Sequence, residues 1–467
     1  MMNHEATYID QATKWSTITI SGFLILATLL TFFRNIPFEY LLLAITFVAT
    51  IPFFLSVERI ICLLTFYIIA FGNFLFKGNL FPLAINYLFI DAGMILLFLL
   101  LIGELSLKRN QTDTPSYFGW TFSLFFLVVA LALLTGLNNS NGLQRIGSEF
   151  RIVSYYAVYF IARRYLTEVK WIKIFSLTVI FAAIVASFDY IYTYYSMQHV
   201  RFVSRQVHVF LLVIPFLISL MILDKNKTRK LACFVTLIPI GIAVIISQTR
   251  GTWVSIIIAI VLAALLSLFA NIKIPRRGLS FISTALALGV VLWIGRGFIG
   301  GSSKKNVESV ETRIESLTSL QGDHSLLMRA NSYWTVVQKI KQRPWLGYGL
   351  GDRATYQFFG QYVTQSNVDS TYLTILWKMG VIGLIPFLVL YFLLLKRAFL
   401  IYRNEQDVFL KIFSIGILSA FTAFLILGTI SPILITSRFN FLFAILFAIT
   451  EIVSRETYNN KMKNNEK

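Results

Sequence analysis

Long apolar runs dominate this 467-residue chain and restrict what it can fold into. They recur from Thr17 to Val453, and each is about 18 to 25 residues long, enough for a helix to cross about 30 Å of hydrocarbon. Hydrophobic residues make up 57% of the sequence and charged residues 13%, an apolar share well above that of a soluble domain. We therefore predict an all-α polytopic membrane protein.

The runs predict a bundle of about fourteen transmembrane helices, within a range of 12–14. We place them near 17–33, 38–55, 58–76, 80–104, 117–136, 150–166, 171–194, 206–223, 230–247, 252–270, 279–298, 372–395, 408–428 and 434–453. The polar N-terminus, with no small-residue cleavage site after the first run, indicates no cleavable signal peptide. No Cys/His cluster has metal-ligand spacing, so we expect no metal site.

Basic residues predict the orientation, because six basic segments alternate with connections poor in lysine. They are Lys108 and Arg109; Arg163, Arg164, Lys170 and Lys173; residues 224–230; Lys273, Arg276 and Arg277; Lys396, Arg397 and Arg403; and the C-terminal tail. The positive-inside rule places these segments and both termini in the cytoplasm. Most of the net charge of +19 then comes from the basic cytoplasmic loops of a membrane protein, and we expect no nucleic-acid partner.

Three segments follow from this topology. Residues 1–298 form the N-terminal transmembrane helices, 299–371 form one large extracytoplasmic loop with amphipathic helices, and 372–467 form the C-terminal transmembrane helices and a cytoplasmic tail. A loop of this length is typical of a functional segment. Two apolar patterns inside it have helical spacing: Val307, Val310, Ile314 and Leu317; and Ala330, Tyr333, Trp334, Val337 and Ile340. The glycine-rich run from Gly347 to Gly351 predicts a flexible turn.

The predicted outer connections contain arginines close to the membrane. They are Arg145 and Arg151, Arg201 and Arg205, Arg250, and Arg438. A planar guanidinium binds phosphate oxygens bidentately and stays charged in apolar surroundings. A single arginine can simply extend to the interface. Six of them on four connections instead predict an anionic ligand at the outer leaflet.

Four motifs occur in a fixed order between about residues 240 and 385. They are Ser247-Gln248-Thr249-Arg250-Gly251; Arg329 with Trp334; Pro344 with Gly347 and Gly349; and Asp369-Ser370-Thr371-Tyr372-Leu373 with Gly380 and Gly383. In their order and spacing they resemble the O-antigen ligase and Wzy-type polysaccharide polymerase family. The rest of the chain resembles that family in topology alone.

The resemblance implies a GT-C-like architecture and a metal-independent, inverting glycosyltransferase without a cofactor. Such an enzyme acts on undecaprenyl-diphosphate-linked glycan, as donor and acceptor, at the outer face of the bacterial plasma membrane. Membrane lipids, a flippase and chain-length regulator proteins are its implied partners. The implied substrate-binding residues are Arg151, Arg205, Arg250, Arg329, Arg438 and Tyr372. Asp369 stands where the ligases have a catalytic histidine, which favours a polymerase.

General chemistry agrees with this interpretation. A glycosyl diphosphate already has a good leaving group, so an enzyme has to neutralise the departing charge and deprotonate a sugar hydroxyl. Fixed arginines can neutralise the departing charge, and a single carboxylate can deprotonate the sugar hydroxyl.

Alternatives remain for residues and for function. Asp369 is also a good helix N-cap, Arg329 can be a solvated residue, and His324 or His208 can be the base.

The chain can be a ligase that transfers glycan to another acceptor, or a transporter or flippase of lipid-linked glycan. Charged residues stop at the outer half of the bundle, which favours an enzyme over a transporter. A purely structural scaffold leaves the outer arginines unexplained.

The topology can be tested by labelling cysteines introduced at Asn226 and Gln321 with an impermeant thiol reagent in intact cells. We expect only the cysteine at position 321 to react, because the basic segment 224–230 is predicted inside. The reverse pattern would contradict the orientation.

Overall fold

The computed structural model describes residues 56–70, 116–196, 205–247, 249–270 and 324–465. The helices in these ranges are α1 Val57–Ala70, α2 Gly119–Asn138, α3 Leu143–Ser154, α4 Val158–Tyr165, α5 Val169–Ser196, α6 Phe210–Leu223, α7 Lys227–Ile246, α8 Arg250–Leu268, α9 His324–Gln342, α10 Thr371–Asn404, α11 Val408–Leu427 and α12 Ser437–Asn465. Short 3-10 segments cover Tyr155–Ala157, Arg205–Val209 and Ile433–Ile435. Met1–Leu64 and Thr65–Lys467 are separate compact units, and the boundary falls inside α1.

Within the described ranges, six helices are long and apolar enough to cross a membrane: α2, α5, α7, α8, α10 and α11. They coincide with six of the predicted spans, so the chain is a multi-pass helical membrane protein. The predicted spans at 17–33, 38–55, 80–104 and 279–298, and the helical pattern at 307–317, lie outside the described residues. The total of about fourteen spans and the GT-C-like architecture stay predictions.

The predicted span at 150–166 does not form one regular α-helix. The chain there forms α3, a 3-10 turn at Tyr155–Ala157, and α4, which has only 8 residues. An α-helix of that length extends only about 12 Å. Polar residues such as Gln144, Ser148 and Glu149 make α3 amphipathic and partly exposed.

The core of the described bundle lies around α11 and α12. Residues 439–449 of α12 are buried throughout, and the rings of Phe443 and Phe447 contact Tyr391 of α10 and Phe421 of α11. Helices α6, α8 and α10 pack on α11, while α4 and α10 pack on α12. These two helices therefore position the ends of most of their neighbours.

One end of this bundle is organised by the completely buried carboxylate of Glu451. Its donors are the side chains of Ser116, Arg163, Arg455 and Tyr159 and the backbone N–H groups of Tyr117 and Phe118. Several donors offset the desolvation of a buried carboxylate. Arg397 stacks on the Tyr117 ring with its guanidinium carbon 3.5 Å from the centroid. Three of the predicted basic segments thus meet at one end, whose cytoplasmic location stays a prediction.

Helix α10 is broken at Gly380, which has φ 65° and ψ −168°. Backbone groups on both sides of the break bond to the turn that follows α9. The N–H groups of Tyr348 and Gly349 donate to the carbonyls of Trp377 and Lys378 at 2.9 and 3.0 Å. In return, the Val381 N–H donates to the Pro344 carbonyl at 2.9 Å, and the Ile382 N–H donates to the Trp345 carbonyl at 3.3 Å. We call residues 344–349 the docked turn. Its backbone groups are the hydrogen-bond partners of the backbone groups at the break in α10.

The predicted glycine-rich turn is present, and its glycines pack closely against neighbouring backbone. A Cβ at Gly380 would overlap the Trp345 carbonyl oxygen, and one at Gly349 would overlap the Gly136 nitrogen of α2. The Leu350 N–H donates to the Ala132 carbonyl of α2 at 3.0 Å. The docked turn is held between α2 and α10 because only glycine lets the backbones approach this closely.

Replacing Gly380 by Ala tests the docked turn. The backbone conformation is one that only glycine adopts readily, so strain alone should cost about 1–3 kcal/mol, and the overlap with Trp345 should add to it. We expect a lower thermal unfolding temperature in detergent.

The matched control is Gly147→Ala on α3, where a Cβ meets nothing within 4 Å and Ala is the better helix former. Equal melting temperatures for the two variants would contradict the proposed role of the break.

Candidate functional site

Asp369 lies two residues before the start of α10 and does not cap it. The N-cap is Ser370, whose Oγ accepts a hydrogen bond from the Leu373 N–H at 3.4 Å. The helix begins at Thr371, and a capping side chain must reach the N–H two or three residues further on. The alternative in which Asp369 serves as the helix cap is therefore wrong, and its carboxylate is left for another role.

The Asp369 carboxylate contacts Arg329 of α9. The Arg329 Nε donates to Oδ2 at 2.8 Å, and both side chains are about half exposed, 45% and 50%. The Tyr333 hydroxyl, one turn along α9, donates to the backbone oxygen of Asp369. The structure thus joins two of the motifs that are forty residues apart in the sequence.

A small apolar core below this pair fixes α9 against α10. It contains Val336, Ala354, Val368 and Trp377, with Tyr333, Ile340, Tyr348 and Leu373 partly buried around it. The buried side of α9 runs through Ser332 and Val336, so the predicted apolar stripe was only partly right. Trp334 is 66% exposed, because the partners of α9 lie on its other side.

A β-hairpin follows the docked turn and was not predicted by the all-α fold class. Strands β1 Ala354–Phe358 and β2 Gln361–Gln365 pair antiparallel through the two-residue turn Phe359–Gly360. Both turn residues have positive φ, 46° and 77°, as a type I′ turn requires. The sequence signal was present, since aromatic and β-branched residues alternate on either side of a Gly-containing pair.

The start of α10 is bonded to the end of α11. The Thr371 N–H donates to the Gly428 carbonyl at 2.8 Å, and its hydroxyl donates to the Ser431 carbonyl at 2.9 Å. The Tyr372 hydroxyl donates to the Leu425 carbonyl at 2.6 Å. The connection after α11 therefore lies beside Asp369.

The other arginine-bearing connections reach the same end of the bundle. A Cβ at Gly251, next to Arg250, would lie 2.6 Å from the Ile430 side chain, so the start of α8 packs on the connection after α11. The Thr252 hydroxyl and His208 Nδ1 are 3.1 Å apart, which ties the segment containing Arg205 to α8.

The start of α12 is tied to α3 at this end. The Asn440 Nδ2, two residues after Arg438, donates to the carbonyl of Ile152, the neighbour of Arg151, at 2.7 Å. The side chains of Arg151, Arg250 and Arg438 are partly exposed. The structure thus brings the chain positions of Arg151, Arg205, Arg250 and Arg438 to one end. It also places Arg329 in direct contact with Asp369.

The two histidine alternatives differ in what the structure describes. His208 is buried and its Nδ1 lies against Thr252, a poor position for contact with a substrate hydroxyl. The side chain of His324 lies outside the described part of the site.

Two ion pairs near the site were not predicted. Lys378 of α10 contacts Glu149 of α3, and Glu149 also accepts from the Gly351 N–H at 2.8 Å. Lys339 of α9 lies 2.6 Å from Asp352. Lys378 and Glu149 are 229 positions apart in the sequence, and Lys339 and Asp352 are 13 apart, so neither pair has a helical spacing that would reveal it. A lysine inside an apolar run is itself a signal, since such a residue is usually paired or functional.

Two tyrosines beside Asp369 remain hydrogen-bonding hydroxyls at neutral pH. Burial raises the pKa of Tyr333, the charge of Asp369 raises it further, and Arg329 opposes this. Burial and Asp369 also raise the pKa of Tyr356, while a hydrogen bond from Gln365 lowers it. The usual tyrosine pKa is about 10, so both hydroxyls stay protonated.

Among the described residues, no three or more His, Cys, Asp or Glu side chains form a group that could hold a metal ion. The charged side chain that contacts Asp369 in the described part of the chain is Arg329.

Comparison with known proteins gives one family match, over part of the chain. Residues 232–388 match the model of a protein family described as O-antigen ligase, a segment that begins in α7, ends within α10 and contains Arg250, Arg329 and Asp369. No curated protein matches the chain. At a coarse level, the family implies an enzyme of the glycosyl-transfer type. The chain is therefore a multi-pass membrane protein, and the match over residues 232–388 confirms the resemblance to the O-antigen ligase family seen in the motifs.

Proposed function

We propose that this protein polymerises the repeat units of a surface polysaccharide, such as O-antigen, capsule or exopolysaccharide. It acts as an inverting glycosyltransferase on undecaprenyl-diphosphate-linked oligosaccharide at the outer face of the bacterial plasma membrane. The observation that carries the proposal is the Arg329–Asp369 pair, 2.8 Å apart, at the end of the bundle where four further arginine-bearing segments meet. A flippase that delivers the substrate and a chain-length regulator are the proposed protein partners.

The carboxylate of Asp369 acts as the general base. A hydroxyl oxygen of the acceptor sugar attacks the anomeric carbon of the donor, and its proton passes to the carboxylate. The bond from that carbon to the diphosphate breaks, and its electron pair leaves on the diphosphate oxygen. The single displacement inverts the anomeric centre and needs one base, with no covalent intermediate.

Arg329 can bind the Asp369 carboxylate and the diphosphate leaving group at the same time. A guanidinium has five N–H donors, and one of them, on Nε, goes to Asp369. Within the described residues, no hydrogen bond occupies the terminal nitrogens of Arg329, which leaves them for phosphate oxygens. Arg151, Arg205, Arg250 and Arg438 supply further positive charge where the diphosphate departs, and Tyr372 lies at the base of this region.

A polymerase is preferred over a ligase because Asp369 stands where the ligases have histidine. The alternative, transfer of a finished glycan to another acceptor, uses the same donor and the same arginines. The two activities differ in the product that accumulates when the reaction fails. Loss of a polymerase leaves single repeat units, whereas loss of a ligase leaves long chains on the lipid carrier.

Arginine-to-lysine variants test the diphosphate clamp. Lysine keeps the charge but loses the planar fork, so Arg250→Lys and Arg329→Lys should each lower the transfer rate at least about tenfold, or about 1.4 kcal/mol of transition-state stabilisation. The measurement is polymerisation by purified protein with lipid-linked repeat units.

Arg353→Lys is the matched control, because this exposed arginine lies on the same loop without contacting Asp369 or its partners. Wild-type rates in Arg250→Ala at normal protein levels would show that Arg250 only extends to the membrane interface.

Asp369→Asn tests the base. The pair with Arg329 is half exposed, and such pairs contribute about 0–1 kcal/mol, so the variant should fold normally. An amide accepts no proton, and loss of a general base typically costs about a hundredfold to ten-thousandfold in rate. In a deletion strain complemented with this variant, we expect single-repeat glycans, and the purified protein should still bind the lipid-linked donor.

Ser370→Ala separates chemistry from helix stability. It removes the cap, at about 0.5–2 kcal/mol, but keeps the carboxylate, so it should lower the melting temperature and retain transfer. Full activity in Asp369→Asn would move the search for the base to His324 and His208. Loss of donor binding in Asp369→Asn would make Asp369 a positioning residue for Arg329.

A further inference from the structure

The exposure of the side chains on α10 changes at the break. Every residue from Thr371 to Gly380 is buried or half-buried. Beyond the break, large apolar side chains become exposed at helical spacing: Ile382, Ile385, Leu388, Val389, Phe392 and Phe399. Residues three, four or seven apart lie on one side of a helix, so these side chains form a single stripe. We call it the α10 stripe.

The length of the α10 stripe matches the hydrocarbon core of a bilayer. From Ile382 to Phe399 the helix rises about 26 Å, against about 30 Å for the hydrocarbon. Lys396 and Arg397 lie near its far end, where long basic side chains can extend to the membrane interface. Since α10 is long and apolar enough to cross a membrane, the stripe faces lipid, and the break at Gly380 lies at the opposite boundary of the hydrocarbon.

Helix α2 gives the same boundary. Its exposed apolar side chains form a stripe that also rises about 26 Å: Trp120, Leu124, Leu127, Leu131, Leu134 and Leu137. Near Leu137 this helix contacts the docked turn, because a Cβ at Gly349 would lie 2.2 Å from the Gly136 nitrogen. The stripe of α2 therefore ends, and that of α10 begins, at the docked turn.

Two side chains of the docked turn continue these stripes. Trp345 is 66% exposed and Leu346 is 46% exposed. The Ile382 N–H, at the start of the α10 stripe, donates to the Trp345 carbonyl at 3.3 Å, so Trp345 stands at the end of that stripe. An indole combines a flat apolar ring with one N–H donor and is enriched at membrane interfaces. Lipid therefore suits this surface better than water does.

We propose that Trp345 and Leu346 contact the phospholipid bilayer at its boundary, with the indole at the level where acyl chains meet headgroups. The docked turn is then a membrane contact as well as the hydrogen-bond partner of the break. What favours lipid over another protein surface is the continuity of these two side chains with two stripes that already face the bilayer.

The contact sets the depth of the candidate site. The residues from Thr371 to Met379 lie on the other side of the break from the α10 stripe and rise at most about 14 Å. The start of α10, with the Arg329–Asp369 pair beside it, is thereby held outside the hydrocarbon but near its boundary. The diphosphate of a lipid-linked glycan also lies just outside the hydrocarbon. That link rests on the proposed function, whereas the lipid contact does not.

The test is quenching of tryptophan fluorescence by brominated lipids, with the full-length protein in phosphatidylcholine nanodiscs. The chain has 8 tryptophans, so the emission of Trp345 is taken as the difference between the wild type and Trp345→Phe. Bromine near the headgroup end of the acyl chains should lower that difference at least about twofold, because an interfacial indole lies beside those carbons. Bromine near the methyl ends should quench it less.

Two further variants serve as controls. The difference between the wild type and Trp120→Phe reports the exposed indole at the other end of the α2 stripe, and it should show the same quenching. Leu346→Trp in the Trp345→Phe protein moves the reporter by one residue and should restore quenching by bromine near the headgroups.

Three results would overturn the proposal. An unquenched Trp345 beside a quenched Trp120 would place the docked turn in water or under protein. Stronger quenching by bromine near the methyl ends would place Trp345 deep in the hydrocarbon. Quenching in nanodiscs that hold one copy, but not in those that hold two, would assign the surface to a second copy of the chain. The measurement needs no substrate, so its failure leaves the Asp369→Asn test of the proposed function untouched.

Discussion

The backbone hydrogen bonds between the break in α10 and the docked turn are the interaction on which the candidate site depends. Helix α9 ends directly before this turn, and α10 begins two residues after Asp369. Bonding the turn to the break therefore sets the position of α9 relative to α10 and brings Arg329 to Asp369. An unpaired backbone group costs several kcal/mol in an apolar environment, so the break and the turn each require the other.

The carboxylates at the two ends of the described bundle differ in their exposure to solvent. At one end, Glu451 is enclosed by arginines and backbone donors and has no contact with solvent. At the other, Asp369 and Arg329 face each other while both remain half exposed. Enclosure makes the first carboxylate a structural anchor, because its hydrogen-bonding capacity is used within the protein. Exposure leaves the second accessible to a substrate.

The sequence predicted the parts of the fold that depend on local pattern. Apolar run length predicted the six described spans, and the helical spacing of residues 330–340 predicted α9. Prediction from the sequence failed where contacts with another part of the chain determine which residues are buried or paired. The buried side of α9 is selected by the hairpin and α10, and the pair of Lys378 with Glu149 joins residues 229 positions apart. The motifs predicted Arg329 and Asp369 as candidate site residues, but only the structure showed that the two are in contact and that Ser370 caps α10.

Because Ser370 caps α10 and Asp369 does not, the residue at position 369 can be exchanged. Its side chain lies outside the helix, so a carboxylate, an imidazole or an amide can occupy it without unwinding the first turn of a membrane span. Position 370, in contrast, is confined to short side chains that can accept a hydrogen bond from the Leu373 N–H. A lineage could therefore change the reacting group of such a protein in a single substitution, with the scaffold left intact.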